Sequence, residues 1–416
     1  MSQKFLKTAI AITVACTSSL AWSAGYQVSE HSASGLGRAF AGEAAVADNA
    51  SVLARNPAAG ILFERATTSG VISFIDPNVD VSHTGPSREQ SAKDVAPYAI
   101  VPASYYISPI NDQFSWGVAL FTGYGVATDY PDDFNQGSSA GDTSLVSVTF
   151  NPSVAWQATE QWSLGVGLSA VYGIAELNRH LGLNARLLPG ASASDKLITM
   201  EGDTFGFGWN IGALYALDDK NRFGFAYRSE VTLDFDGDFT DHRGLAAGLP
   251  AGTTLTGKLE AVLPATFEFS GFHQVDPQWA VHYSVLWTEW SQFKELRATN
   301  PQCNSSDGAG ICFLKEEHYE NALRWSLGVT HNLNDDWIVR AGFAFDEQAG
   351  KATLSIPDTD RYWYSIGATY QYNSDLSFDA GFTLIDSQSG TFTEDGETFD
   401  SSGNALVYAM QANYTF

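Results

Sequence analysis

Past its first two dozen residues, the 416-residue chain has no run of eighteen apolar residues, which excludes a membrane-spanning helix. Basic residues are scarce: 22 Lys and Arg stand against 47 Asp and Glu, for a formal charge of −25. A nucleic-acid partner is excluded, because phosphate binding needs a basic face. No Pro- or Ser-rich linker divides the chain, so one large β domain is expected rather than several soluble ones. Cysteine is scarcest, at three residues. The eight His residues are scattered, with no close pair on a helix to suggest zinc. No metal, cofactor or catalytic group is expected, and therefore no enzyme. Aromatics are plentiful at 13%, which a disordered acidic chain would lack.

The N-terminus carries Lys4 and Lys7, an apolar run from Ala9 to Leu20, and Ala21-Trp22-Ser23 before Ala24. This predicts a signal peptide over 1–23 and export. Cys16 raises a lipoprotein alternative, but Thr13-Val14-Ala15 lacks the large aliphatic residue that such a signal carries. Without the signal lysines the charge is two units more negative. Cys303 and Cys312 remain, nine apart in a stretch rich in Asn, Ser, Asp and Gly. In an exported protein the pair reads as one disulfide closing a surface loop, with a metal site as the rival reading.

From about Thr67 the pattern is alternation with period two. Trp162, Leu164, Val166, Leu168, Ala170 and Tyr172 share one face, and Ser163, Gly165, Gly167, Ser169 and Gly173 the other. The same alternation recurs from Phe205, Leu323, Trp337, Leu376 and Leu406. Aromatics cluster near strand ends, as Trp116, Trp162, Phe223, Trp279, Trp337, Tyr215, Tyr370 and Tyr372, like the girdle of a barrel wall at lipid headgroups. Six short turns, at 109–113, 158–161, 218–221, 275–278, 332–336 and 373–375, alternate with longer segments at 124–142, 176–204, 234–254, 293–320, 346–361 and 385–404. One strand on each side of every connection predicts an all-β, 14-stranded antiparallel transmembrane barrel over 67–416, closed by pairing of its last strand with its first. The terminal Phe416, after alternating aromatics, resembles the signal read by the barrel insertion machinery.

A different texture precedes the strands. Ser34 to Ala58, SGLGRAFAGEAAVADNASVLARNPA, is small and Ala-rich, and reads as two short helices. Asp48 and Asn49 suit a helix start, and Asn56-Pro57 suits a stop. Gly35-Leu36-Gly37 lacks the third glycine and the preceding strand of a nucleotide loop. Residues 24–66 are therefore expected to plug the lumen as an N-terminal hatch.

That stretch, with Asn56-Pro57-Ala58, resembles the hatch of the outer-membrane long-chain fatty acid transporter family (FadL type). Tyr124 to Thr128, Tyr227 to Val231, Asp276 to Ala280 and Ile356 to Trp363 carry further likeness across essentially the whole mature chain. The resemblance implies a monomeric barrel, plugged by a hatch that includes Gly35, Gly37, Arg38, Asn56, Pro57 and Ala58. It implies passive uptake of a fatty acid or another hydrophobic ligand, in contact with outer-membrane lipid and lipopolysaccharide. Ligand is caught among outer loops, moves to an inner pocket and exits sideways at a kink in the third strand, here Gly123, Tyr124 and Gly125. Lateral exit is physically reasonable, since each CH₂ costs about 0.8 kcal/mol to return to water. The same fold in relatives carries aromatic hydrocarbons, and a surface adhesin is a more remote alternative.

By the same carry-over, a buried carboxylate needs a cation, and Arg179, Arg297 and Arg361 are the candidates. Pairing of these with acids such as Asp358 or Asp360 is the competing reading. The loop from His180 to Asp203 looks short for the family, with Leu181, Leu183, Leu187 and Leu188 left to form an outer groove. Asp234, Asp236 and Asp238 resemble a calcium loop, but Gly237 is misplaced and the closing Glu is missing. Weak binding of divalent ions by loop acids stays open. Arg228, Glu230, Glu268, Arg324, Arg340, Asp346 and Asp379 read as a polar network lining the wall.

Overall fold

The computed structural model describes residues 25–85 and 90–416; the expected signal peptide over 1–23 lies outside them. Fourteen strands run β1 Thr67–His83, β2 Ala99–Asn111, β3 Phe114–Phe121 continued by Gly125–Thr128, β4 Asp142–Gln157, β5 Trp162–His180 and β6 Lys196–Asp218. They continue as β7 Asn221–Arg228 with Val231–Asp241, β8 Thr253–Leu263 with Thr266–Gln274, β9 Trp279–Thr288 and β10 Ala322–Asn332. The last are β11 Trp337–Asp346, β12 Arg361–Gln371, β13 Leu376–Glu394 and β14 Glu397–Thr415. Each is antiparallel to its neighbours, and β14 pairs with β1 from Thr415↔Thr67 to Phe399↔His83. The barrel is closed and leaves no free edge.

The exposed side is the greasy one. Leu168, Phe207 and Met410 are 66%, 76% and 70% exposed, while the inward Ser73, Asn210 and Thr383 are buried. Water would not tolerate such an inversion; lipid requires it. The aromatic girdle is built from cross-strand pairs, Trp162 with Tyr215, Trp337 with Tyr370 and Trp279 with His331, each directly opposite in register.

All six short turns share one device. Asn111, Asp218, Asp276, Asn334 and Asn373 each accept the backbone N–H groups two and three residues on, and Thr159 does the same with its hydroxyl. A short side-chain acceptor replaces the turn's own carbonyl, which holds these hairpins tight.

The opposite end departs from expectation. The segments 385–404 and 293–320 are largely strand: β13 and β14 turn only at Asp395-Gly396, and Glu295–Ser305 pairs with Gly308–Glu316 in a hairpin above β9 and β10. Asp234, Asp236 and Asp238 likewise sit on the outward face of a regular strand and not in a loop, with Asp236 3.8 Å from Lys258. No group of three metal-ligating side chains forms among the described residues.

Inside the barrel, residues 25–66 coil into α1 Ala33–Leu36 and two 3₁₀ turns, Ala50–Ala54 and Pro57–Leu62. Ser32, Asn49 and Asn56 cap them. Asn56-Pro57 thus starts a turn where a stop was expected, because Pro at the first position loses no hydrogen bond and its φ is preset. The hatch lies directly on wall glycines: a Cβ on Gly165 would strike the backbone of Ala58, and one on Gly342 the backbone of Arg38. The small inward face of the strands is the room this coil occupies.

Candidate functional site

The third strand is broken. Phe121 pairs with Thr149 and Gly125 with Val146, but Thr122, Gly123 and Tyr124 leave the strand. On its other side β3 pairs with β2 only as far as Leu120↔Ser104, while Ala99 to Ala103 of β2 pair with β1 alone. The wall therefore has a gap in its ladder above Leu120.

The first hatch residues stand behind that gap. Val28 N donates to Gly123 O at 2.9 Å, and Gly125 N donates to Tyr26 O at 2.7 Å. His31 Nε2 donates to Thr122 O at 2.8 Å, and Tyr105 of β2 donates its hydroxyl to His31 O at 3.0 Å. The plug thereby satisfies the Thr122 and Gly123 carbonyls freed by the break, while Tyr124 N donates to the Ser147 hydroxyl of β4 and Tyr124 O accepts from it, as an apolar surrounding demands. Gln27, His31, Arg55, Phe121, Gly123 and Arg228 line a small pocket just behind it.

A second cavity lies above. Its walls are Leu145, Leu177, Met200, Phe235, Phe239, Leu259, Phe293 and Ile356, and Tyr26 belongs to both the hatch and this wall. Tyr26 sits in an aromatic box with Trp290 at 4.7 Å, Phe293 at 5.1 Å and Tyr124 at 5.9 Å between ring centres. The hydroxyls of Tyr26 and Tyr124 donate to Val262 O and Pro264 O, carbonyls beside the interruption of β8. The hatch N-terminus thus separates the apolar cavity from the pocket behind the gap.

One end of the cavity is polar. Ser355 lines it, and its hydroxyl receives Arg179 Nη2 at 3.0 Å and Lys315 Nζ at 2.7 Å. The buried Arg179 spends its other hydrogen bonds on neutral acceptors, Asp142 O, Asn178 O and Thr143 Oγ1. Lys315 is 3.1 Å from Glu394 and 3.9 Å from Glu317. Glu317 also lines the cavity, and burial pushes its carboxyl up to about 7. Neither cation lines the tube itself, since both face a separate pocket with Glu394, but they converge on the Ser355 hydroxyl at its end, which matches an amphiphile with an anionic head.

Other expected residues are placed differently. Arg297 is a correction: its Nε and Nη2 fork onto Glu295 at 2.6 and 3.1 Å on a partly exposed face, while its neighbours Leu296 and Ala298 face the cavity. Strand alternation turns it away from the cavity. Arg361 is buried with Nη2 2.7 Å from Asp358 and 4.0 Å from Asp346, the competing reading of an arginine held by loop acids. Asp358 in turn accepts Gly25 N at 3.0 Å, so this pair anchors the hatch N-terminus. Leu181 is buried in an outer core beside the Cys303–Cys312 disulfide, Leu188 packs on that core, Leu183 is half-buried and Leu187 exposed. None of the four lines the cavity, whose leucines come from strands. Glu230, expected in the luminal network, is exposed outside the break of β7. The other members pair inside: Glu268 is 3.7 Å from Arg55, and Arg340 lies 3.3 Å from Asp48 and 3.7 Å from Asp379.

Lys315, Glu317, Ser355 and Tyr26 carry no sequence pattern of their own; only Ser355 borders a run that carried family likeness. Gly137 to Gly141 has the Gly-x-Ser-x-Gly spacing of a hydrolase elbow. It forms a turn between β3 and β4, not a strand-to-helix corner, and Ser139 donates to Asp395 instead of a histidine.

Comparison with known proteins accords with this geometry. The family described as outer membrane protein transport protein (OMPP1/FadL/TodX) matches residues 14–416. The long-chain fatty acid transport protein of Escherichia coli (strain K12) is 40% identical, with 100% of both chains covered. A crystal structure of a Pseudomonas aeruginosa FadL homologue superposes with a TM-score of 0.82 at 23% identity, covering 94% of this chain and 100% of the other. That of the Pseudomonas putida toluene transporter TodX gives 0.71 at 16%, with the same coverage. A closed 14-strand barrel, a family match over nearly the full length and a full-length relative together establish that this chain belongs to the OMPP1/FadL/TodX family of outer-membrane transport proteins.

Proposed function

We propose that the protein carries hydrophobic compounds, long-chain fatty acids foremost, passively across the outer membrane. The observation that carries this reading is the apolar cavity lined at one end by Ser355, whose hydroxyl accepts from Arg179 and Lys315 standing just outside the lining. The acyl chain lies among Phe239, Leu259 and Ile356, and its carboxylate replaces the Ser355 hydroxyl as acceptor for both cations. Displacement of Tyr26 and the segment behind it joins the cavity to the pocket at Gly123, from which the chain leaves between β2 and β3 into lipid. The protein supplies a path and no bond-making chemistry, so it is not an enzyme.

The same reading extends to the rest of the chain. Residues 1–23 serve as an export signal, 24–66 as the hatch and 67–416 as the barrel. The barrel works as a monomer, is placed by the barrel insertion machinery and stands in lipopolysaccharide, where the outward acids Asp234, Asp236 and Asp238 lie. Aromatic hydrocarbons are the alternative cargo, favoured by the nearly all-apolar lining. Adhesion is a more distant one.

Uptake of oleate and of an uncharged hydrocarbon by cells carrying Arg179→Ala or Lys315→Ala separates these readings. Oleate uptake is expected to fall by about tenfold or more, as for loss of a charge-assisted hydrogen bond, with the hydrocarbon unchanged. Equal losses for both would remove the carboxylate from the scheme.

A further inference from the structure

The cationic end of the cavity contains an acid that the proposed function leaves unused. Glu317 lies in the connection between the extracellular hairpin and β10, with its side chain buried. It lines the same cavity as Ser355, and neither of its oxygens has a hydrogen-bond partner. Its nearest cation, Lys315 Nζ at 3.9 Å, is already committed to Ser355 and Glu394. An unbonded buried carboxylate is costly, and an acid aimed at an anion's berth would repel the ligand.

A charge count resolves the conflict. The ionisable groups around Glu317 are Arg179 on β5, Lys315 on the hairpin, Glu394 on β13, Tyr26 on the hatch and Tyr319 in its own connection. The phenols are neutral, held there by burial. With Glu317 ionised, two cations face two anions, with Asp142 a further acid beside Arg179, and nothing remains for a ligand. With Glu317 protonated, the charges that face it directly, Arg179, Lys315 and Glu394, leave one net positive charge for an anionic head group.

Building on the fatty-acid reading, we propose that Glu317 is a head-group recognition residue. As the neutral acid it donates a hydrogen bond to the anionic head held by Arg179 and Lys315, and ionisation of Glu317 expels that head. The sign follows directly. Burial raises the carboxyl to about 7, so the binding-competent acid is present below that pH and lost above it.

The test uses the full mature protein, purified in amphipol, and tetradecyl sulfonate, whose head does not titrate in this range. Binding should weaken about tenfold from pH 6 to pH 8, while tetradecanol binds equally at both. Glu317→Gln keeps a donor without the titration, so its sulfonate affinity should be the same at both pH values. Sulfonate binding independent of pH in the natural protein overturns the role of Glu317 alone. A pH dependence retained in Glu317→Gln, or shared by tetradecanol, overturns it as well. Failure of sulfonate to bind at any pH while tetradecanol binds overturns both this inference and the anionic-ligand reading.

Discussion

Single residues hold this plug through charge as much as through packing. Arg38 is buried in the hatch with Glu43 and Asp48 each 2.7 Å away, and Asp48 also takes Arg340 of the wall at 3.3 Å. One carboxylate thereby ties hatch to barrel. Removing one partner of a buried pair costs about 3–5 kcal/mol, because the other is left uncompensated. Arg38→Ala strands Glu43 and leaves Asp48 with Arg340 alone. It is expected to loosen the hatch without opening the barrel, whose strands do not depend on Arg38. Limited proteolysis should then cut within residues 25–66 while the heat-modifiable gel mobility of the barrel stays unchanged. Full protease resistance would show that the glycine contacts hold the hatch without this network.

At the scale of elements, the segment from Gly25 to His31 lies as an extra strand behind the broken β3. It satisfies the broken β3 with two backbone hydrogen bonds, and the Gln27↔Tyr124 bridge lies between them. Two bonds at a net of about 0.5–1.5 kcal/mol each are a modest part of its hold, to which Gly25 N on Asp358, the Tyr26 hydroxyl on Val262 O and His31 on Thr122 O add. Pairing Gln27→Cys with Tyr124→Cys should abolish oleate uptake when oxidised and restore it on reduction, with the natural protein under reductant as control for Cys303–Cys312. Full uptake by the oxidised pair would mean that the segment never moves. The strands and periplasmic turns were legible in the sequence because lipid enforces a strict period of two and each short turn carries its own acceptor. The hairpins above the membrane were not, since outside lipid the alternation disappears: Gly308–Glu316 puts apolar residues on both faces in the run from Ile311 to Leu314, and residues 388–394 are polar apart from Phe392. The cationic end was legible only in part. Arg179 came through family likeness, but Lys315 and Ser355 meet across 40 residues that no local pattern joins. Arg297 misled because its identity could not reveal which face of the strand it occupies.

Taken whole, the molecule is a barrel too wide to be filled by side chains from its own wall, and its closure against leakage depends on absent side chains. Gly342 and Gly165 let the hatch backbone rest on β11 and β5 at distances that no Cβ permits, and Gly37 meets Gly367 of β12 in the same way. Lipid-facing residues are untouched by such contacts, so barrel assembly and hatch seating are separable properties. Gly342→Leu should therefore insert and fold as a barrel, with normal heat-modifiable mobility, yet displace the coil at Arg38. The expected result is a channel that conducts ions in planar bilayers and sensitises cells to large antibiotics, where the natural protein does neither. A tight, non-conducting Gly342→Leu barrel would mean that the hatch is seated by its buried charges and tolerates a shifted coil, which would return the sealing role to Arg38, Asp48 and Arg340.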